Sequence, residues 1–191
     1  MSFITGTQCE LLYNLPAAVT NNTFTTQRVI SAPSTMQRAV IPAGFFTYSD
    51  AILIQARGTV ANAATAATFA NVLAYQAAAG TIGANLIASL PALAPTASTT
   101  CPWELEAWIT QYALGGAGLT LQCNGKWRQA VTATTVFSTA HTEAMFRTQL
   151  TGLNSEAQAF IELWSTCSAS SSSSTITVEH FNVFGLNLQV S

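Results

Sequence analysis

Trp103–Tyr112 reads WELEAWITQY and Leu119–Gln129 reads LTLQCNGKWRQ. In the first stretch Trp103, Leu105, Ala107 and Ile109 alternate with Glu104, Glu106, Trp108 and Thr110. In the second, Leu119, Leu121, Cys123 and Gly125 alternate with Thr120, Gln122 and Asn124. Period two over this length marks a half-buried β-strand, because successive side chains leave a strand on opposite faces. The stretches read as the arms of a hairpin turning at Leu114–Gly118, which sets Cys123 opposite Trp108. Cys101 then lies several residues further along the partner strand, beyond the Cα separation of about 7 Å that a disulfide tolerates.

The same pattern extends outward. Ala51–Val60 (AILIQARGTV) places Ile52, Ile54, Ala56 and Gly58 on one face and Leu53, Gln55, Arg57 and Thr59 on the other. Ala157–Thr166 and Thr175–Phe184 are rich in β-branched and aromatic residues. They flank the serine run Ser170–Ser174, and read as a hairpin with a long polar tip. Ala61–Ala79 competes for a helix through its alanines, but recurring Thr, the lack of a capping box, and Gly80 and Gly83 favour a strand over Thr68–Gln76. Short helical turns are expected near Ser155–Gln158 and His141–Gln149. Many short strands separated by Gly and Pro turns predict an all-β, antiparallel β-sandwich, jelly-roll-like in architecture. One sandwich domain is expected over 33–191, with 1–32 as an extended N-terminal arm or an added strand.

Composition narrows the function. Of 191 residues, 49% are hydrophobic and only 7% are charged, against about a quarter charged in an ordinary soluble domain. Six Lys and Arg scattered along the chain build no phosphate-neutralising stripe, so no nucleic-acid partner is expected. The positive mean hydropathy of +0.34 raises a membrane reading. A spanning helix needs about 20 consecutive apolar residues; Ala39–Phe46 and Ala84–Ala94 are short and broken by Pro42, Gly44, Ser89 and Pro91. Polarity comes instead from roughly forty Ser and Thr, a hydroxylated rather than ionic surface. No membrane partner is expected. Met1–Gly6 offers no basic segment followed by an apolar one, so synthesis in a cytosol without export is the expectation.

The search for chemistry yields little. The cysteines Cys9, Cys101, Cys123 and Cys167 form no CxxC, and neither His141 nor His180 stands at zinc-finger spacing from a pair of them. They read as reduced, buried structural thiols. His141-Thr142-Glu143 is not HExxH, and no GxSxG, P-loop or GxGxxG occurs. Glu104 and Glu106 share a strand face, and such neighbours usually only solubilise it. His180 beside Glu179 reads as a surface or hydrogen-bonded histidine. No catalytic residue, metal or cofactor is expected, and no enzyme. Of Trp103, Trp108, Trp127 and Trp164, a sugar-stacking platform is one reading and core filling the plainer one. Trp108 stands apart, since alternation puts it opposite Leu105 and Ile109. With Cys123 across from it, both faces of that strand are expected to be covered, one of them by another subunit.

The order IPAGFFTYSDAILIQARGTV, then Trp103–Ile109, then Leu150–Asn154 (LTGLN), then Ile176–Phe181 (ITVEHF) resembles a class of tailed-bacteriophage virion domain. The resemblance covers Val40 to Phe184. It implies a non-enzymatic structural protein of the virion made in the host cytoplasm: a capsid decoration (cement) protein, or alternatively a tail, fibre or carbohydrate (receptor)-binding module. It also implies a homo-oligomer, commonly a trimer, seated on the major capsid protein or other virion proteins. Candidate interface residues are Phe3, Ile4, Leu11, Leu12 and Tyr13 of the arm, laid along a neighbouring subunit, and Trp108.

Overall fold

The alternating stretches around Trp103 pair as antiparallel strands in the computed structural model of the chain. The structure describes residues 8–22, 24–32, 38–46, 50–64, 66–80, 86–115, 118–130, 141–169 and 171–187. Its strands are β1 (Gln8–Asn14), β2 (Val19–Asn22), β3 (Arg28–Val29), β4 (Ala39–Ile41), β5 (Ala51–Ala61) and β6 (Phe69–Gln76), then β7 (Leu86–Leu93), β8 (Thr100–Gly115), β9 (Gly118–Ala130), β10 (His141–Leu153), β11 (Ala159–Cys167) and β12 (Thr175–Asn187). Among the described residues there is no helix. A seven-stranded sheet runs β1-β12-β5-β8-β9-β10, with β2 following β1 along the outer edge of β12. A five-stranded sheet runs β3-β11-β6-β7, with β4 beside β3 on β11. Every pairing is antiparallel, and the chain is an all-β sandwich.

The core lies between the sheets and is filled by the residues that alternation assigns inward. Ile52, Ile54, Ala56 and Val60 meet Trp103, Leu105, Ala107 and Ile109, and β9 adds Leu119, Leu121, Cys123 and Trp127. Trp103 and Trp127 stack with ring centroids 5.0 Å apart and planes 19° from parallel, both with at most 1% of their surface exposed. Gly58 makes room for them. A Cβ there would collide with the Thr177 carbonyl and press on the Trp103 ring at 3.0 Å. The Thr68–Gln76 expectation holds as β6, where Phe69, Leu73 and Tyr75 join the core.

Four expectations are corrected. Cys123 faces Ile109, and Asn124 is the residue opposite Trp108. A bulge at Tyr112, where the register shifts between Gln111 and Ala113, takes up one residue and makes odd positions pair with odd. A single-residue error in register exchanges the two faces of the partner strand. Trp108 is accordingly 40% exposed, and that face of β8 is open in the chain. His141–Gln149 is strand rather than helical turn, held as β10 by its ladder with β9; Ser155 and Glu156 form a turn. The serine run is not a hairpin tip, because β11 and β12 belong to different sheets and the serines cross between them. Ser174 is buried in this crossing and accepts a hydrogen bond from the Ala63 amide at 3.3 Å. Finally, Cys9 is exposed, while Cys101, Cys123 and Cys167 are buried free thiols. Burial pushes the Cys123 thiol up to about 12, which leaves it inert.

The described part of 1–32 packs within its own chain. β1 and β2 pair with β12, and β3 pairs with β11. Tyr13, Leu15, Phe24 and Ile30 are buried in the common core. The Ile30 amide donates to the Leu163 carbonyl at 2.8 Å, and the Cys167 amide to the Phe24 carbonyl at 3.0 Å. Removing residues 1–32 would therefore strip apolar cover from both sheets. A chain beginning at residue 33 is expected to lose its cooperative thermal transition, read by circular dichroism, rather than keep a stable core.

Within the chain, β11 is covered on both faces. Beyond the core side, Val29, Ala74 and Trp164 form a second small cluster with Val72 against it. Beside them Glu162 has no exposed surface. Its Oε1 accepts from Arg38 Nη1 at 3.1 Å and from the Gly80 amide at 2.9 Å. Burial raises the Glu162 pKa, and the Gly80 hydrogen bond and the Arg38 charge only partly offset it. The folded state thus holds this proton more tightly than the unfolded chain does. Stability must fall as pH rises from the ordinary value of 4.5 toward the raised one. Urea unfolding measured across that range should show this decline in the native chain, and Glu162→Gln should abolish its slope.

Candidate functional site

Outward-facing positions of the seven-stranded sheet carry an ordered array. Three ranks of cross-strand neighbours run from β12 through β5, β8 and β9 to β10. The first is His180, Arg57, Glu104, Arg128 and Glu143; the second is Asn182, Gln55, Glu106, Lys126 and Met145. The third is Phe184, Leu53, Trp108, Asn124 and Arg147. Alternation dictates which residues point outward, and the pairing register decides which of them become neighbours.

The first two ranks, from β12 to β9, border an open cleft of about 380 Å³. Arg57, Glu104, Glu106, Lys126 and Arg128 line it, five of the fourteen charged residues in the whole chain. Glu143 and Arg147 flank it on β10. A chain poor in charge has gathered half of it on one face of one sheet. His180 reaches this face through a bulge: the register shifts between Val178 and His180, so Val178 and Phe181 both point inward while His180 and Asn182 point out.

Hydrogen bonds hold the floor of the cleft. Arg128 Nη2 donates to Glu104 Oε2 at 2.7 Å, and its Nε lies 3.9 Å from Glu143 Oε2. Arg57 Nη2 lies 2.8 Å from His180 Nε2, where the guanidinium donates and the imidazole accepts. Arg147 Nη2 donates to Gln122 Oε1 at 3.1 Å. Planar amide, guanidinium, carboxylate and imidazole groups set side by side present donors and acceptors in fixed directions. Trp108 extends the array, one step along β8 from Glu106 on the same face. Such a surface suits a ligand with many hydroxyls and one apolar face. No group of three or more His, Cys, Asp or Glu among the described residues is placed to hold a metal ion.

The residues singled out from sequence separate. Phe3 and Ile4 lie outside the described residues. Leu11 is 53% exposed on β1, and Leu12 is half-buried against the core. Tyr13 belongs to the core, edge-on to Phe181 at 6.0 Å; burial raises its pKa. Trp108 alone of these lies beside the cleft. Trp103, Trp127 and Trp164 are buried, so they build no stacking platform. Arg57, Lys126 and Arg128 carried no functional reading from sequence. Their signal was faint, like-parity polar residues on four separate strands, and only the register makes them one site.

No protein-family model matches the chain, and no curated protein matches it in sequence. Among solved structures, the CBM2 module of the evolved Dit of Lactobacillus casei BL23 phage J-1 is 9% identical, over 97% of this chain and 99% of that one, with a TM-score of 0.39. Arcelin-5, a lectin-like defence protein from Phaseolus vulgaris, is 7% identical over 96% and 99%, with a TM-score of 0.35. Likenesses this loose transfer no ligand and no residue role.

The Glu104–Arg128 pair is partly open to solvent, at 38% and 31% of side-chain surface. Exposed pairs contribute little to folding. Arg128→Ala is therefore expected to change unfolding free energy by less than about 1 kcal/mol, measured by urea denaturation, which leaves the variant usable in ligand titrations.

Proposed function

We propose that this protein is a non-enzymatic β-sandwich module of a bacteriophage virion that binds a carbohydrate on the outer face of its seven-stranded sheet. The observation that carries the reading is the cleft between β12 and β9, with directional polar groups in two ranks and Trp108 beside them. Sugars bind through such planar hydrogen-bonding side chains and by stacking on an exposed aromatic ring. The virion setting rests on the sequence resemblance.

This is the receptor-binding branch of that resemblance rather than capsid decoration. A cement protein needs a continuous apolar contact surface or many small ones. Among the described residues the large exposed hydrophobics are Leu11, Trp108, Tyr112 and Met145. Leu11 lies on β1, at the far side of the sheet from β10. Trp108 and Met145 are separated by Asn124 and Lys126 of β9. Low charge needs no lattice partner to explain it, since hydroxyl groups supply the polar surface.

Trp108 is the exposed tryptophan of the four, so its fluorescence reports on this face. Titration with host-cell polysaccharides should give a saturable change in tryptophan emission. Trp108→Ala, followed by calorimetry, should weaken binding about tenfold, with Glu106→Gln and Arg57→Ala also weaker. Silence toward every host glycan, with the protein folded, would defeat the reading.

A further inference from the structure

An antiparallel sheet that ends in an unpaired strand offers a row of free backbone donors and acceptors, and proteins normally blunt such edges with short strands, bulges, proline or lysine. Among the described residues, this sandwich does so at three of its four edges. β1 and β2 together cover one edge of the larger sheet as strands of seven and four residues, with a register shift in β1. β3 and β4 are two and three residues long. β7 carries Pro91, and its ladder with β6 shifts register twice.

β10 is different. It has thirteen residues, no proline and no lysine, and its ladder with β9 is regular from His141 to Leu150. Among the described residues no strand pairs with its outer edge. Met145, near the middle of this regular part, is 84% exposed.

The sequence HTEAMFRTQL is complementary to itself when turned end for end about Met145. An antiparallel copy centred there sets Glu143 opposite Arg147 of the second copy and Arg147 opposite Glu143 of the second copy. Thr142 meets Thr148, Ala144 meets Phe146, and the two Met145 side chains meet at the dyad. Opposite charges, threonine pairs and an aromatic beside a small residue are all favourable cross-strand neighbours. Glu143 would then lie between Arg128 of its own chain and Arg147 of the second copy, continuing the alternation of the first rank. Centring the dyad on Phe146 instead sets Glu143 against Gln149 and Met145 against Arg147, and loses both ion pairs.

We infer that β10 is the dimerisation edge of this protein, pairing antiparallel with β10 of a second copy about Met145. The two seven-stranded sheets become one continuous sheet, and both outer arrays face the same side. A ligand with repeated units could then engage both arrays, and the second contact would benefit from high effective concentration.

Two experiments on the full chain test this. In sedimentation equilibrium the native protein should dimerise. Arg147→Glu should raise the dissociation constant about tenfold, because it sets two like-charged pairs across the dyad. The exchange Glu143→Arg with Arg147→Glu should restore it. The register is tested by cross-linking in a Cys9→Ser background, which removes the exposed native thiol. Directly opposed residues have Cα atoms about 4.5–5.5 Å apart, within disulfide range. Met145→Cys should therefore form a covalent dimer under copper-catalysed air oxidation, and Gln149→Cys should not. A native chain that stays monomeric, a dimer indifferent to charge reversal and exchange, or equal cross-linking at both positions would overturn the inference.

Discussion

The pairing of β8 with β9 in odd-to-odd register is the constraint on which the rest of the structure depends. It stacks Trp103 on Trp127 inside the sandwich and, from the same backbone, sets Glu104 against Arg128 outside it. The two outcomes are inseparable, because side chains alternate across the strand. A slip by one residue would put Arg128 against Trp103 and carry the polar array into the core. The large desolvated aromatic pair therefore sets the register, and the exposed ion pairs follow from it at small energetic cost. Gly58 and the bulge at Tyr112 are the local devices that permit it, one by giving the Trp103 ring space and the other by absorbing a residue.

Scarcity of charge gives the array its meaning. In a chain with 7% charged residues, most of the surface is hydroxyl, amide and backbone. Nine of the fourteen charged residues gather in two places, for different reasons. On β11 Glu162 is buried beneath Arg38 and the Gly80 amide, tying Arg38, just ahead of β4, and the turn after β6 to the sheet. On the outer face of the larger sheet, the charges remain partly solvated and arranged in ranks across four strands. The first is a tether between elements; the second is a surface of fixed donors and acceptors.

Strand content, the inward residues of β5, β8 and β9, and the sandwich class were legible because period-two alternation is local. The strand at β6 was legible despite its alanines, through the recurring Thr, the missing capping box and the glycines that follow. Most of the misreadings concern relations between strands. Cys123 was set against Trp108 because the bulge at Tyr112 leaves no mark in residue type. The serine run looked like a hairpin tip because nothing local tells a turn within one sheet from a crossing between two. His141–Gln149 looked helical because residue type does not alternate there: Met145 stands on the exposed face and Thr142 and Thr148 on the other, although burial alternates from Glu143 to Leu150. Whether 1–32 is an arm or an added strand stayed open in the sequence, because the strands that pair with its described part, β12 and β11, lie more than a hundred residues away.

The sequence by itself determined the class of fold, the two faces of each long strand and the poverty of charge. These follow from backbone geometry and side-chain chemistry one strand at a time. Only the tertiary structure decided which strands lie side by side, and with that the site. Arg57, Glu104, Arg128 and His180 come from four strands spanning 124 residues of chain. They become a single rank because hydrogen-bonded register, packed core volume and two bulges bring them into line. No local pattern carries that information, since register is settled by the whole core at once.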